Sequence, residues 1–282
     1  MNLAEALIWS SKILFSKKNN LLEARILLQY ILNCSVEFLF ANQNIVLTDL
    51  QIKNFHKLLL SRKKNIPISY LVKNKDFFSL NFYVNKHVLI PRPDSEILVS
   101  AILEYAKISQ INNVLDLGTG SGCIIITLLK NLKNISATAL DICPLALNVA
   151  KSNIKFYKLE HRINLLKSNW FKGVDKNIKF DVIFSNPPYV SLLEKKIMAS
   201  ETLLHEPKIA LFANKFGLEH YYSIAKQAYR FLKNNGQIFL EVGWKQADSV
   251  KRIFIKYGYC YAKSYYDLNN RERCLQFYYR FV

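Results

Sequence analysis

The chain has 282 residues, 51% hydrophobic and 21% charged, which supplies a core for one large or two ordinary globular domains and excludes a disordered or fibrous protein. Its first twenty residues lack the basic start, long apolar stretch and small-residue cleavage site of a leader, and no apolar run approaches the roughly 18 residues of a membrane span, so a cytoplasmic protein is expected. The net charge of +18 is spread, +6 on the first 80 residues and +12 on the rest, which leaves open a lysine- and asparagine-rich compositional bias or a basic face attractive to RNA or an RNA-bound partner.

In chain order, residues 3–14 and 21–32 repeat apolar residues at helical spacing. Residues 48–64 add a third helix with Thr48 placed as its N-cap, and 65–78 supply a short last helix and its exit. Together they predict a helical bundle over 1–75. Residues 78–96 alternate in the manner of a β-hairpin before a proline-rich turn, so 76–94 is expected to be a hairpin linker. The remainder, 95–282, alternates helices (95–107, 122–132, 143–157, 219–236, 245–258) with strands (112–118, 135–141, 163–168, 180–186, 237–243, 262–268, 274–282). Such alternation predicts an α/β fold: a Rossmann-like, seven-stranded, mostly parallel sheet covered on both faces. The last two strands follow each other without a helix, which requires at least one antiparallel strand.

The five cysteines and five histidines are scattered, with no metal-ligand spacing and no nucleophile pair. The chemistry therefore has to come from elsewhere. Residues 114–129 read strand, glycine turn, helix, with Gly118-Thr119-Gly120-Ser121-Gly122 at the turn. Their G-x-G-x-G spacing differs from the dinucleotide fingerprint G-x-G-x-x-G, since position 123 is Cys, which argues against a pyrophosphate but allows close approach of another ligand. Asp141 ends the next strand, where a carboxylate can accept ribose hydroxyls, and Trp170 follows the third strand, where an indole can lie against a base beside Asn169. Singly, Asp141 reads as a helix cap and Trp170 as core; as a set with the glycines they point to a nucleoside. Asp116 precedes the glycines and reads as a residue that ties down the turn.

The fourth strand delivers Asn186-Pro187-Pro188-Tyr189 to the carboxyl edge of the sheet. An amide or exocyclic amino nitrogen is a weak nucleophile because its lone pair is delocalised, so it needs orientation more than a base. The Asn186 side-chain oxygen and the Pro187 carbonyl can each accept one N–H of a planar NH2 group, while Tyr189 walls the substrate. The matching electrophile is a sulfonium methyl, and no metal is required. The plain alternative is a strand that is simply ended by two prolines.

These residues, with "IPRPDSE" at 90–96, "NWF" at 169–171, Glu206-Pro207 and "DLNNRER" at 267–273, resemble the release-factor glutamine N5-methyltransferases over nearly the whole chain. The resemblance implies S-adenosyl-L-methionine as cofactor, held by Gly118, Thr119, Gly120, Ser121, Gly122, Asp141, Trp170 and Asn186. It further implies class 1 peptide chain release factors as partners, with Asn186, Pro187, Pro188 and Tyr189 holding the Gly-Gly-Gln glutamine; residues 1–75, amphipathic but without candidate chemistry, are expected to recognise the partner protein. Asn169 departs from the aspartate common in that family. The Asn-Pro-Pro-Tyr motif alone is shared with DNA and RNA adenine methyltransferases, and ribosomal-protein glutamine methyltransferases are related; an RNA-binding adaptor without activity is the rival from another class.

Overall fold

Asn2 and Thr48 each open a helix through a reciprocal capping box, with Glu5 and Gln51 as the respective partners, so two orphan amides are satisfied at each start. The computed structural model describes residues 1–280, so Phe281 and Val282 of the predicted last strand lie outside the described residues. The helices of the first unit are α1 (Leu3–Ile13), α2 (Asn20–Leu32), α3 (Val36–Ala41), α4 (Asp49–Lys63) and α5 (Ile68–Leu71). α3, capped by Ser35, was not expected from the sequence. Their apolar faces bury Leu3, Ala6, Leu27, Leu28, Leu39, Phe55 and Leu59 in one core. Each large side chain among these contributes about 1.5–3 kcal/mol through burial.

One charge lies inside this unit. Arg62, 6% exposed, forks onto both oxygens of Glu23 at 2.8 and 2.7 Å and reaches Glu201 at 2.6 Å and the Ile66 carbonyl at 3.2 Å. Burial would lower its pKa, but the two carboxylates outweigh this and raise it. Glu201 comes from far along the chain: the unit consists of Met1–Asn74 together with Met198–His205.

The second unit is Lys75–Ile197 with the chain from Glu206 onward. It opens with a hairpin of β1 (Lys75–Phe77) and β2 (Leu80–Phe82), shorter and earlier than the sequence pattern indicated. Phe78 and Ser79 both take positive φ, the geometry of a tight two-residue turn, without the glycine or asparagine that usually announces it. Phe77 and Phe82 sink into the same core as Leu98 and Val114, so the expected linker is part of this unit.

There follow α6 (Ser95–Ala106), β3 (Asn113–Leu117), α7 (Cys123–Asn131), β4 (Ser136–Asp141), α8 (Pro144–Phe156), β5 (Ile163–Lys167), β6 (Phe180–Ser185) and β7 (Val190–Ser191). α9 (Ser200–His205) is the segment given to the first unit. Then come β8 (Phe212–Ala213), the short turn α10 (Asn214–Gly217), α11 (Glu219–Ala225), β9 (Leu232–Glu241), α12 (Ala247–Lys256), β10 (Tyr259–Tyr266) and β11 (Glu272–Tyr279). The predicted helix over 219–236 is a correction: it stops at Ala225, and Leu232 already pairs with Phe180 of β6.

The seven-stranded sheet has the order β10-β11-β9-β6-β3-β4-β5, and β11 runs antiparallel to both of its neighbours. Successive residues serve opposite layers: Val114, Val182 and Phe184 enter one core and Leu115, Leu117 and Ile183 the other. Burial on both faces is why these strands read as continuous apolar runs. Adjacent β3, β4 and β6 end level with one another, Leu117 pairing with Leu140 on one side and Ser185 on the other.

Candidate active site

That shared edge opens into a cavity of about 370 Å³ lined by residues from the loops that follow β3, β4, β5 and β6. Its size and position suit a small ligand at the carboxyl end of a doubly wound sheet. A larger groove of about 590 Å³ lies at the opposite edge, lined by Asn113, Ser136 and Arg162 among others, but Arg162 there is spent on the carbonyls of Leu129, Leu132 and Ile135.

The glycine loop is pinned from two sides. Gly118 and Thr119 donate their amides to the Leu140 carbonyl at 2.9 and 2.8 Å, and Gly120 donates to Asp141 Oδ2 at 2.9 Å. Gly118 and Gly120 sit at φ 81° and 56°, and a Cβ on either would meet nothing within 4 Å, so the cavity itself occupies that space. Gly122 differs. At φ 79°, its missing Cβ would press Ile126 Cδ1 at 3.2 Å and Ala150 at 3.5 Å, so it serves the contact of α7 with α8 and is absent from the cavity wall.

The tie expected of Asp116 is made by Asp141, whose other oxygen accepts from the Cys143 amide at 2.9 Å. Burial raises the Asp141 pKa against these backbone hydrogen bonds. Asp116 is 2% exposed, with Oδ2 lacking a partner, and burial with the neighbouring Asp141 charge pushes it up to about 7. Thr119 Oγ1, at the cavity, is likewise buried and unpartnered.

Trp170 lies on the wall in a left-handed conformation, φ 51°, stabilised by Ser168, whose hydroxyl donates to the Trp170 carbonyl and accepts from the Gly173 amide. A bulky residue there is strained, and strain of this kind gathers at ligand sites. Its ring stands 5.2 Å from that of His220, whose pKa is lowered by burial. His220, also on the wall, carried no local sequence signal.

Asn186 faces the cavity with its Nδ2 donating to Ser95 Oγ at 2.9 Å, which leaves Oδ1 without a protein partner. Pro188 also lines the cavity, whereas Pro187 and Tyr189 do not. Tyr189 turns inward: its hydroxyl donates to Glu241 Oε1 at 3.2 Å and its carbonyl accepts from Gln246 Nε2 at 2.9 Å. Glu241, 1% exposed, is pushed up to about 7 by burial, opposed by the Ser95 and Tyr189 hydroxyls. Around the rim, Glu206 accepts from the Ile90 amide at 3.1 Å and pairs with Arg92 at 2.5 Å, while Arg273 binds Asp94 and Asp267. The "IPRPDSE" and "RER" stretches are thus two halves of one clasp.

Residues 5–72 match the PrmC N-terminal domain and residues 93–217 the Methyltransferase small domain. A release factor glutamine methyltransferase of Buchnera aphidicola is 38% identical over 89% of this chain and 90% of its own length. The chain belongs to the release factor glutamine methyltransferase family. A bifunctional methyltransferase of Rickettsia prowazekii is 46% identical over 90% of this chain but only 52% of its own length, so the chain spans about half the length of the curated relatives it matches first. The hMettl16 catalytic domain, solved with an RNA hairpin, shares the fold at a TM-score of 0.58 and 16% identity, with 83% of each chain covered. The residues predicted for the cofactor (Gly118, Thr119, Gly120, Ser121, Asp141, Trp170) and Asn186 share one wall system with His87, Arg92, Ser95 and Glu219, which sequence reasoning had not assigned. Among the described residues no cluster of His, Cys, Asp or Glu is arranged for a metal, and no helix is long and apolar enough to cross a membrane.

Proposed function

We propose that this chain transfers a methyl group from S-adenosyl-L-methionine to the side-chain amide nitrogen, N5, of the glutamine in the Gly-Gly-Gln motif of class 1 peptide chain release factors, in the cytoplasm. The observation that carries this reading is Asn186: with Nδ2 committed to Ser95, its Oδ1 is left as an acceptor at the cavity. An acceptor, not a base, is what a planar amide requires.

The residues present fit the cofactor. The unfilled space beside Gly118 and Gly120 admits a ligand against the loop backbone, and the unpartnered Thr119 hydroxyl offers it a polar contact. Each Asp141 oxygen holds one backbone amide and keeps a lone pair for a ribose hydroxyl, and Trp170 supplies a flat apolar wall for a base. When bound, the cofactor supplies an electrophilic methyl group. Asn186 Oδ1 would hold one N–H of the glutamine so that the nitrogen lone pair faces that carbon, and the Pro187 carbonyl, off the cavity wall in this structure, would take the second N–H as the glutamine enters beside Asn186. In the transfer the methyl carbon would pass from the cofactor's sulfonium sulfur, left behind as a neutral thioether, to the amide nitrogen; as that nitrogen becomes positive both acceptors would bind more strongly, which lowers the barrier, and the nitrogen would then shed one proton to solvent. Tyr189 contributes by rigidity, fixed at hydroxyl and carbonyl. Recognition of the release factor falls to residues 1–75, which carry amphipathic helices and no candidate chemistry.

The test uses labelled S-adenosylmethionine with a release factor and with its Gln→Ala variant, in the presence of a chelator. Label on the first protein alone is expected. Label on both, or on neither, would refute the proposal.

A further inference from the structure

An asparagine side chain is two-faced, and only one face suits the proposed reaction. Turned the wrong way, Asn186 would present an NH2 group to the NH2 group of the substrate. Something in the fold has to choose. We propose that Ser95 and Glu241 are positioning residues, a one-way hydrogen-bond relay that holds the Asn186 amide with its oxygen toward the cavity. This rests on the proposed function above.

The polarity follows from proton counting. Asn186 Nδ2 donates to Ser95 Oγ at 2.9 Å. A serine hydroxyl has one proton and two lone pairs, so a hydroxyl that accepts from Asn186 must send its own proton elsewhere. Ser95 is 3% exposed, so bulk solvent is a poor destination, although the residue borders the cavity. The neighbouring acceptor is Glu241: the Ser95 hydroxyl stands close enough to favour its charged form, its Oε1 already takes the Tyr189 hydroxyl at 3.2 Å, and its Oε2 has no other partner. An ionised carboxylate only accepts, so it draws both hydroxyl protons to itself and leaves the Ser95 lone pairs to Asn186.

The backbone holds the relay in place. Ser95 opens α6, its amide bonded to the Arg92 carbonyl at 3.0 Å, and the preceding Asp94 is drawn to Arg273 instead of capping the helix. Glu241 closes β9, and its own carbonyl accepts from the Tyr221 hydroxyl at 2.9 Å. The ionisable groups that act on Glu241 or feel it are Asp94, Arg273, Tyr189, Tyr221, Cys123 and Cys274. Arg273 and the two hydroxyls favour its charged form.

The whole protein, labelled with 15N at asparagine, reports the relay directly at about pH 8.5, where Glu241 is mostly ionised. The Asn186 side-chain NH2 signal is identified by its loss in Asn186→Ala. In the parent protein its protons exchange slowly with water. Ser95→Ala should speed that exchange about 10-fold or more and lower kcat about 10- to 100-fold, with KM for cofactor within about 3-fold. Ser95→Thr, which keeps a hydroxyl, should restore both. Glu241→Leu, which removes the destination of the Ser95 proton, should move both readouts as Ser95→Ala does. Should Ser95→Ala fail to fold, Ser95→Cys fills the same space with a poor acceptor and reads the same way. Unchanged Asn186 exchange in the Ser95 variants overturns the relay whatever the activity. A parent protein that methylates no glutamine, yet shows the exchange pattern, would sink the proposed function and leave the relay standing.

Discussion

Arg62 in the helical unit and Glu241 in the sheet unit are both nearly inaccessible, 6% and 1% exposed, but their surroundings treat them differently. Arg62 has a partner for each face of its guanidinium, two carboxylates and a carbonyl. Glu241 has one hydrogen bond, from the Tyr189 hydroxyl at 3.2 Å, and its second oxygen makes none, with the Ser95 hydroxyl beside it as the proposed donor. Among the described residues the other buried side-chain atoms without a partner are Asp116 Oδ2 and Thr119 Oγ1, also in the sheet unit, at and just before its glycine turn. A fully paired buried charge holds a fold together. Buried polar atoms left open cost about 1–3 kcal/mol each, and they persist where a ligand or a reaction uses them.

The contrast is broken most directly at Arg62. Arg62→Ala strands the largely buried Glu23 and should cost about 3–5 kcal/mol of stability, seen in chemical denaturation. A loss under 1 kcal/mol would mean that the pairing is structurally idle. At the open site the cost should fall on rate instead. Asn186→Ala should lower single-turnover rates at saturating cofactor by about 10²–10³, with melting temperature nearly unchanged. A near-normal rate would leave Pro187 and its neighbours sufficient and the orientation mechanism wrong.

Asp141 lies between these extremes, since it is paired and lines the cavity. Asp141→Ala should weaken S-adenosylmethionine binding by about 1–3 kcal/mol in calorimetry, through the freed Gly120 amide as well as the lost ribose contact. Asp116 sharpens the comparison through pH. Its folded pKa of about 7 stands above its ordinary 3.8, so between those values the folded state keeps a proton that the unfolded chain has lost. Stability from this group is therefore full below about pH 4 and falls as pH rises to about 7. Asp116→Asn should gain about 1–3 kcal/mol relative to the parent between pH 5 and 8; a pH-independent difference would place the charge elsewhere. The smallest effect is expected at Thr48→Ala, about 1 kcal/mol for a lost cap, with no change in methyl transfer.

What the sequence disclosed was local. Thr48 as a cap, the glycine turn, Asp141 at a strand end and Asn186 after an apolar run are each decided within a few residues, and the structure has these features where the pattern puts them. Features set by distant partners were hidden. Ser95 and Glu241 are 146 positions apart and meet only because α6 starts and β9 ends at the same edge. The helix over 219–236 was read too long because Phe231 and Leu232 fit a helical repeat as well as the sheet core that takes them. Phe78 and Ser79 adopt a turn that their types disfavour, so the hairpin was displaced toward the more ordinary alternation after it. The role given to Asp116 passed to Asp141 because one loop amide can be reached from either strand, and spacing does not say from which.

The attribution of Met198–His205 to the helical unit has a consequence for any attempt to take the protein apart. The chain passes between the two units three times, at about residues 74, 197 and 205, so the helical unit is not a bead on one string. A protease cut at the first crossing would free residues 1–74 covalently, yet that fragment would still grip Glu201 through Arg62 and His205 through the Lys64 carbonyl. The nicked protein should therefore migrate as one particle until denatured. Exchange of the first unit between relatives would have to carry the distant eight-residue segment with it.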